Sequence, residues 1–153
     1  MAIKYLYIDP LKCTGCRNCE LICSYTFHKV FNYKKARLRV IRTEEGLDKP
    51  VVCHHCNDAP CIRACPTDAI SRTEKGLVYV SKEKCIGCGA CVEACPFGAM
   101  FMDPDENYAM NCILCGECVK RCPAGALQIL DSDQIAQIKS EQYIITLSKA
   151  LLE

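Results

Sequence analysis

No stretch of this chain approaches the roughly 20 consecutive apolar residues of a membrane-spanning helix. Its opening residues, Met1-Ala-Ile-Lys-Tyr-Leu-Tyr-Ile-Asp-Pro10, hold neither an apolar signal core nor a twin arginine. A membrane span and export are therefore not expected, and a cytoplasmic location is. A glycine-rich nucleotide loop is missing, and so is a Ser/His/Asp set. Without a phosphate cradle or an activated hydroxyl nucleophile, the chain offers no substrate site of its own.

What it has in abundance is cysteine: 16 of 153 residues, a share that points to disulfides or to metal. In a reducing compartment such thiols serve metal or redox chemistry, which turns the reading away from disulfides. All sixteen fall into four runs. Cys85, Cys88, Cys91, Cys95 and Pro96 have the spacing C-x2-C-x2-C-x3-C-P, the bacterial ferredoxin signature for a [4Fe-4S] cluster. Cys112, Cys115, Cys118, Cys122 and Pro123 repeat it; Cys13, Cys16, Cys19 and Cys23 do too, with Ser24 where the proline would stand. The remaining run is stretched: Cys53, Cys56, Cys61, Cys65 and Pro66 put four residues before the third cysteine.

Zinc explains these spacings poorly. A four-thiolate zinc site needs two C-x2-C pairs for one tetrahedron, and a third cysteine three residues on has no use in it. Three cysteines in a tight loop suit three corners of a cubane, with Gly15, Gly87, Gly89 and Gly116 letting the backbone approach closely. The fourth cysteine, i+4 from the third, shares a face of a short helix with it and in such runs ligates the other cluster of a pair. Pro66, Pro96 and Pro123 then end the helix. Run one lacks that proline, so its helix is expected to continue to about Phe31.

Between the runs the chain reads as extended. Residues 3–8 form a strand ended by Asp9-Pro10. Ala36 to Arg42 alternates apolar and basic residues, Glu44-Glu45-Gly46 turns, and Pro50-Val51-Val52 leads into run two. Hairpins are predicted for 69–72 with 77–80 and for 99–102 with 108–110. A last strand spans 125–130. Gln134 to Leu152 has apolar residues at Ile135, Ile138, Ile145, Leu147 and Leu151, an imperfect helical pattern expected to lie over the cluster lobes or a partner, or to be disordered.

Runs two and three, joined by one hairpin, have the layout of a complete two-cluster lobe. Runs one and four remain, and the terminal strands can pair to bring them together. The weaker alternative pairs run one with two and three with four. Under the favoured pairing the ligand sets are Cys13, Cys16, Cys19 and Cys122; Cys112, Cys115, Cys118 and Cys23; Cys53, Cys56, Cys61 and Cys95; and Cys85, Cys88, Cys91 and Cys65. The expected fold is α+β: two ferredoxin-like dicluster lobes with short helices and β-hairpins, plus a C-terminal helical tail. Residues 1–130 form the tetracluster domain, with lobe A from 1–30 and 108–130 and lobe B from 50–107; the tail is 131–153.

The formal charge of +1 counts cysteines as neutral. Sixteen thiolates and four clusters of about +2 bring it to roughly −7, which argues against nucleic acid. The basic run Lys29, Lys34, Lys35, Arg37, Arg39 and Arg42 is then a solvated strand face offsetting cluster charge, or a docking patch for a partner subunit. His28, His54 and His55 take supporting or surface roles, since cysteine already fills every ligand position. Met100, Phe101 and Met102 pack in the core or face a partner.

With the four runs, the stretch Cys53-His-His-Cys-Asn-Asp-Ala-Pro-Cys-Ile-Arg-Ala-Cys-Pro66, and the stretch Cys23-Ser…Val30-Phe-Asn32…Arg37-Leu-Arg-Val40, the chain resembles the four-cluster iron-sulfur subunits of anaerobic oxidoreductases over residues 1–130. In that family runs one and four pair, as do two and three. The resemblance implies four [4Fe-4S] clusters and a non-catalytic electron-transfer subunit serving a larger catalytic partner, a tungsten or molybdenum pterin enzyme, a CO dehydrogenase, a formate dehydrogenase or a hydrogenase. Compact length makes it most similar to the small subunit of tungsten aldehyde oxidoreductases, with ferredoxin as external acceptor. The rival reading is a free-standing polyferredoxin that diffuses as a carrier.

Overall fold

Lys4–Ile8 (β1) and Leu127–Asp131 (β8) join the two ends of the chain as an antiparallel pair, Tyr5 opposite Leu130 and Tyr7 opposite Gln128. The computed structural model describes residues 3–152, the side chains of residues 151 and 152 apart. The expected domain start at residues 1–2 and the tail's residue 153 lie outside the described residues, as does the side chain of its apolar position Leu151.

Three further antiparallel pairs follow: Arg39–Arg42 (β2) with Asp48–Val51 (β3), Ile70–Arg72 (β4) with Val78–Val80 (β5), and Phe101–Met102 (β6) with Ala109–Met110 (β7). The first two share one turn. In Thr43-Glu-Glu-Gly-Leu47 and Thr73-Glu-Lys-Gly-Leu77 the threonine N–H donates to the leucine carbonyl, 2.8 Å in both, and the threonine hydroxyl accepts the leucine N–H at 3.3 and 3.1 Å. A closed turn of this kind needs only five residues, which is why strands of three or four residues suffice.

Four helices carry the third cysteine of each run: Asn18–His28 (α1), Pro60–Arg63 (α2), Ala90–Glu93 (α3) and Glu117–Arg121 (α4). The expectation that third and fourth cysteines share a helix holds only in α1, which contains Cys19 and Cys23. Elsewhere the helix stops before Cys65, Cys95 and Cys122, because the following proline disfavours helical backbone at the residue it follows; Cys122 is extended, at φ −74° and ψ 111°. Run one, with Ser24, continues to His28 and ends at Lys29, whose left-handed backbone sends its N–H to the Tyr25 carbonyl. The helix thus falls short of Phe31.

The tail is a helix, Ser132–Leu152 (α5), starting two residues earlier than the periodicity predicts. Its start is a reciprocal cap: Asp131 Oδ1 accepts the Gln134 N–H at 2.9 Å and Gln134 Oε1 accepts the Asp131 N–H at 3.1 Å. It touches β8 and β1, with Gln142 Nε2 donating to the Tyr7 hydroxyl at 3.2 Å. Tyr143, Ile144 and Ile145 are more than half exposed. Among the described residues no helix is long and apolar enough to cross a membrane.

Two apolar cores lie under these pieces, and both consist partly of cysteine. One gathers Leu6, Leu127, Cys19, Cys23, Cys112 and Cys118 with Ala36, Leu38, Val40 and Val52, so the extended 36–40 segment, given to neither lobe from the sequence, and Val52, expected in lobe B, pack with the chain ends. The other gathers Cys61, Cys91, Ile70, Val78, Val80 and Met100. Met100 is buried and Met102 packs on this core, while Phe101 lies under the Arg39 guanidinium at 4.5 Å; the apolar run is core, not an open patch.

The basic segment is partly solvated, with Lys29, Lys34 and Arg42 exposed, and partly a strap, with Lys35, Arg37 and Arg39 half-buried. Lys35 pairs with Asp105 at 2.6 Å, His28 stands 3.7 Å from Asp103, and Arg39 donates to the Ala36 and Leu38 carbonyls. Arg42 pairs with Asp48 at 2.8 Å. Asn111 ties the two cores: its Nδ2 donates to the Val78 carbonyl at 2.9 Å and to the Cys112 carbonyl at 3.2 Å.

Glu20 pins the strap to α1. It is buried, and its Oε1 accepts the Val40 N–H at 2.8 Å. Removing the acceptor strands a buried donor, which costs about 1–3 kcal/mol. Glu20→Ala is therefore expected to lower the thermal midpoint of the loaded protein clearly, and Glu20→Gln, which keeps an acceptor, to lower it less. Equal melting of all three in a calorimeter contradicts this role.

Candidate metal centres

Each run places its first two cysteines on an irregular loop and its third on the first turn of a helix, so three thiols curl around one point. The fourth thiol at each point comes from elsewhere. One cavity is lined by Cys13, Cys16, Cys19 and Cys122. A second is lined by Cys112, Cys115, Cys118 and Cys23, a third by Cys53, Cys56, Cys61 and Cys95, and a fourth by Cys85, Cys88, Cys91 and Cys65. All sixteen thiols are free.

The loops close tightly at Gly87, whose φ of +70° lies in the left-handed region. A Cβ there would stand 2.3 Å from the Asn107 carbonyl oxygen, a direct backbone clash.

Do these residues suit an iron-sulfur cluster? Among the described residues, no three Cys, His, Asp or Glu converge closely enough to hold a single metal ion. The thiols stand around a space instead, as a cubane with iron at its corners requires. Backbone donors also face the sulfurs, as a thiolate needs. The Ala69 N–H points to Cys65 Sγ at 3.3 Å, Ala99 N–H to Cys95 Sγ at 3.4 Å, Arg37 N–H to Cys23 Sγ at 3.3 Å and Ala109 N–H to Cys85 Sγ at 3.4 Å. The donor set fits the group.

Burial sets the electrostatics. It pushes the thiols of Cys19 and Cys118 up to about 12 and that of Cys91 up to about 11, with neighbouring thiols adding to the rise. Cys112, the most deeply buried, is raised further for the same reason. Burial raises Cys65 as well, but the N–H groups of Thr67, Ala69 and Ile70 and the Thr67 hydroxyl outweigh it, and the net shift is downward. Burial thus disfavours the thiolate at Cys19, Cys91, Cys112 and Cys118, a cost that bound cations would offset.

The supporting or surface roles expected of His54 and His55 acquire their partners in the structure. His55, fully buried, accepts the Val78 N–H on Nδ1 at 3.0 Å, so its ring proton sits on Nε2; burial, with Arg72 and His54 nearby, lowers it to about 4 and keeps it neutral. The His54 ring lies tilted against Phe97, at an interplanar angle of 52° with centroids 4.4 Å apart, and both line the cavity of Cys53. Arg37 stood out only as one member of the alternating basic run, and Asn111 carried no signal in spacing or periodicity, because their contacts reach across 74 and 33 positions of chain.

Gly87→Ala is expected to disturb only the loop of run three. Iron analysis of the anaerobically purified variant should show about one cluster fewer than wild type; a full complement would contradict the clash. Gly46→Ala, where a Cβ meets nothing within 4 Å, should keep the wild-type iron content.

Residues 45–132 match the family model for a 4Fe-4S dicluster domain, and residues 10–26 that for a 4Fe-4S binding domain. The chain is 47% identical over 93 residues to the polyferredoxin-like subunit of an aliphatic sulfonate oxidoreductase from Pyrococcus furiosus, covering 60% of this chain and 54% of that protein. It is 41% identical over 98 residues to a formate dehydrogenase iron-sulfur subunit of Wolinella succinogenes (61% and 48%), and 40% identical over 104 residues to the electron transport protein HydN of Escherichia coli (63% and 58%). The chain thus spans about half the length of these relatives. A chain of the active-site complex BamBC of benzoyl coenzyme A reductase has a similar fold, with a TM-score of 0.51 and 23% identity over 100% of this chain and 99% of that one.

Proposed function

The chain belongs to the 4Fe-4S dicluster domain family, and from that premise we propose that it is the iron-sulfur electron-transfer subunit of an oxidoreductase complex, holding four [4Fe-4S] clusters. The observation that carries the proposal is the grouping of all sixteen cysteines, four to a cavity. The ligand sets are those four groups, each with three thiols from one run and one from another. A [4Fe-4S] cluster, when bound, supplies one-electron reduction and oxidation.

The chain's own residues insulate and connect these centres. Cys23, Cys65, Cys95 and Cys122 each leave their own run's cavity for another, so each short helix or its end spans two cavities. Lobe A, built on runs one and four, and lobe B, built on runs two and three, meet at Asn111, which touches the carbonyl of Cys112 and that of Val78, a wall residue of the Cys53 cavity.

The partner is a larger catalytic subunit, for which a tungsten or molybdenum aldehyde oxidoreductase is our first reading, with ferredoxin as external acceptor. Relatives named as subunits of sulfonate oxidoreductase and formate dehydrogenase support a catalytic partner of this general kind. Half-exposed Tyr143, Ile144 and Ile145 on α5 give such a partner apolar surface to cover. Free thiols throughout agree with a cytoplasmic setting.

Anaerobically purified protein is expected to carry about sixteen iron and sixteen sulfide per chain; zinc without sulfide, or iron for only two clusters, overturns the cofactor reading. The loaded chain alone should accept electrons from artificial donors and turn over no aldehyde, formate, CO or hydrogen. Copurification with a larger subunit separates the subunit reading from a diffusing polyferredoxin.

A further inference from the structure

Arg37 differs from every other cationic residue near the four cavities. It lines the cavity of Cys23, Cys112, Cys115 and Cys118, and its backbone N–H donates to Cys23 Sγ at 3.3 Å. Its guanidinium lies 4.0 Å over the Phe27 ring, and Nη1 reaches the Asn111 carbonyl at 3.5 Å. Its Nε–H is buried and has no hydrogen-bond partner among the described residues. Arg37 is therefore a wall residue of the cavity of Cys23, Cys112, Cys115 and Cys118 whose guanidinium, held over Phe27, keeps one buried donor unspent. The other cationic wall residue is Arg17, in the cavity of Cys13; it is half exposed, and the buried Glu20 carboxylate 4.0 Å away offsets its charge. The two cavities of the middle runs have no arginine or lysine in their walls.

We propose that Arg37 sets the reduction potential of the centre held by Cys23, Cys112, Cys115 and Cys118, keeping it higher than the thiolates alone would. One electron entering this set adds one negative charge to iron and sulfur. The guanidinium, carried by a residue of the cavity wall, attracts that charge, and its unspent Nε–H is available to it, so the reduced state gains more than the oxidised one. Arg37 acts on the centre through charge and hydrogen bonding and is a positioning residue, not a ligand.

The proposal rests on the reading that these four cysteines hold a [4Fe-4S] cluster, and the experiment keeps the two apart. Wild type, Arg37→Gln and Arg37→Lys are purified anaerobically as full-length loaded chains. Iron and sulfide are counted, and the clusters are titrated with dithionite under EPR detection. Loss of one signal in Cys23→Ser identifies the centre concerned. In Arg37→Gln that signal should become about tenfold harder to reduce, ~59 mV lower for a one-electron step, with the other three unmoved. Arg37→Lys, which keeps the charge and loses the guanidinium, should fall by a smaller amount. Wild type with iron for fewer than four clusters overturns the cofactor reading itself. A full iron count with no shift in Arg37→Gln, or an equal drift of all signals, overturns only the role of Arg37. If Arg37→Gln fails to load, Arg37→Lys decides: an unmoved potential there makes Arg37 purely structural and overturns the proposal.

Discussion

A sulfur anion out of water is tolerable only where cations or N–H groups surround it, and this chain must arrange that for sixteen sulfurs in 153 residues. The requirement explains why so little of the protein before α5 is regular. Strands run two to five residues and three of the four cysteine-bearing helices four or five, since longer elements would tie up in ladders the backbone donors the sulfurs need. It also explains the cores, where cysteine stands beside leucine and valine. Thiols raised to about 11 or 12 by burial show that the polypeptide alone favours the protonated form. Cation binding supplies the missing stabilisation, so assembling the centres and folding the chain are one process.

Features that depend on near neighbours in sequence were legible without a structure. The α+β class, the hairpins, the tail helix and the positions of the sixteen cysteines all rest on spacing, turn residues and proline. Features that depend on distant contacts were not. The Val40 N–H finds Glu20 twenty positions away, and His55 is held by Val78 across twenty-three; no local pattern marks either. The cap between Asp131 and Gln134 was readable in principle, as an acidic residue three before a glutamine, but the apolar periodicity placed the helix start two residues late.

The basic segment shows how composition misleads where partners are remote. Six cations without an intervening acid read as a surface for solvent or a partner. Their partners lie beyond the segment: Asp105 for Lys35, Asp48 for Arg42, and the rings of Phe27 and Phe101 for Arg37 and Arg39. A cation over an aromatic face keeps its charge while shedding water, which is how guanidinium groups come to stand among buried thiols. The strap thereby holds the two cores together and brings positive charge to the side where Cys23 lies.

One substitution in the repeat accounts for this arrangement. In runs two and three a proline follows the fourth cysteine, the helix ends, and an alanine four residues later turns its N–H onto that sulfur. Run one has Ser24 in the proline's place, so helix continues and no N–H four residues on is free to turn toward Cys23. The serine also fixes the way back: its hydroxyl donates to the Leu21 carbonyl at 2.9 Å and accepts the Asn32 N–H at 3.2 Å, and Asn32 in turn caps the turn at Tyr33–Lys35. The returning chain then brings Arg37 to Cys23, fourteen residues later, where its N–H does what alanine does in runs two and three. An alanine donor brings no charge with it. The detour that replaces it delivers a guanidinium as well, and so makes one of four similar cysteine sites electrostatically unlike the rest.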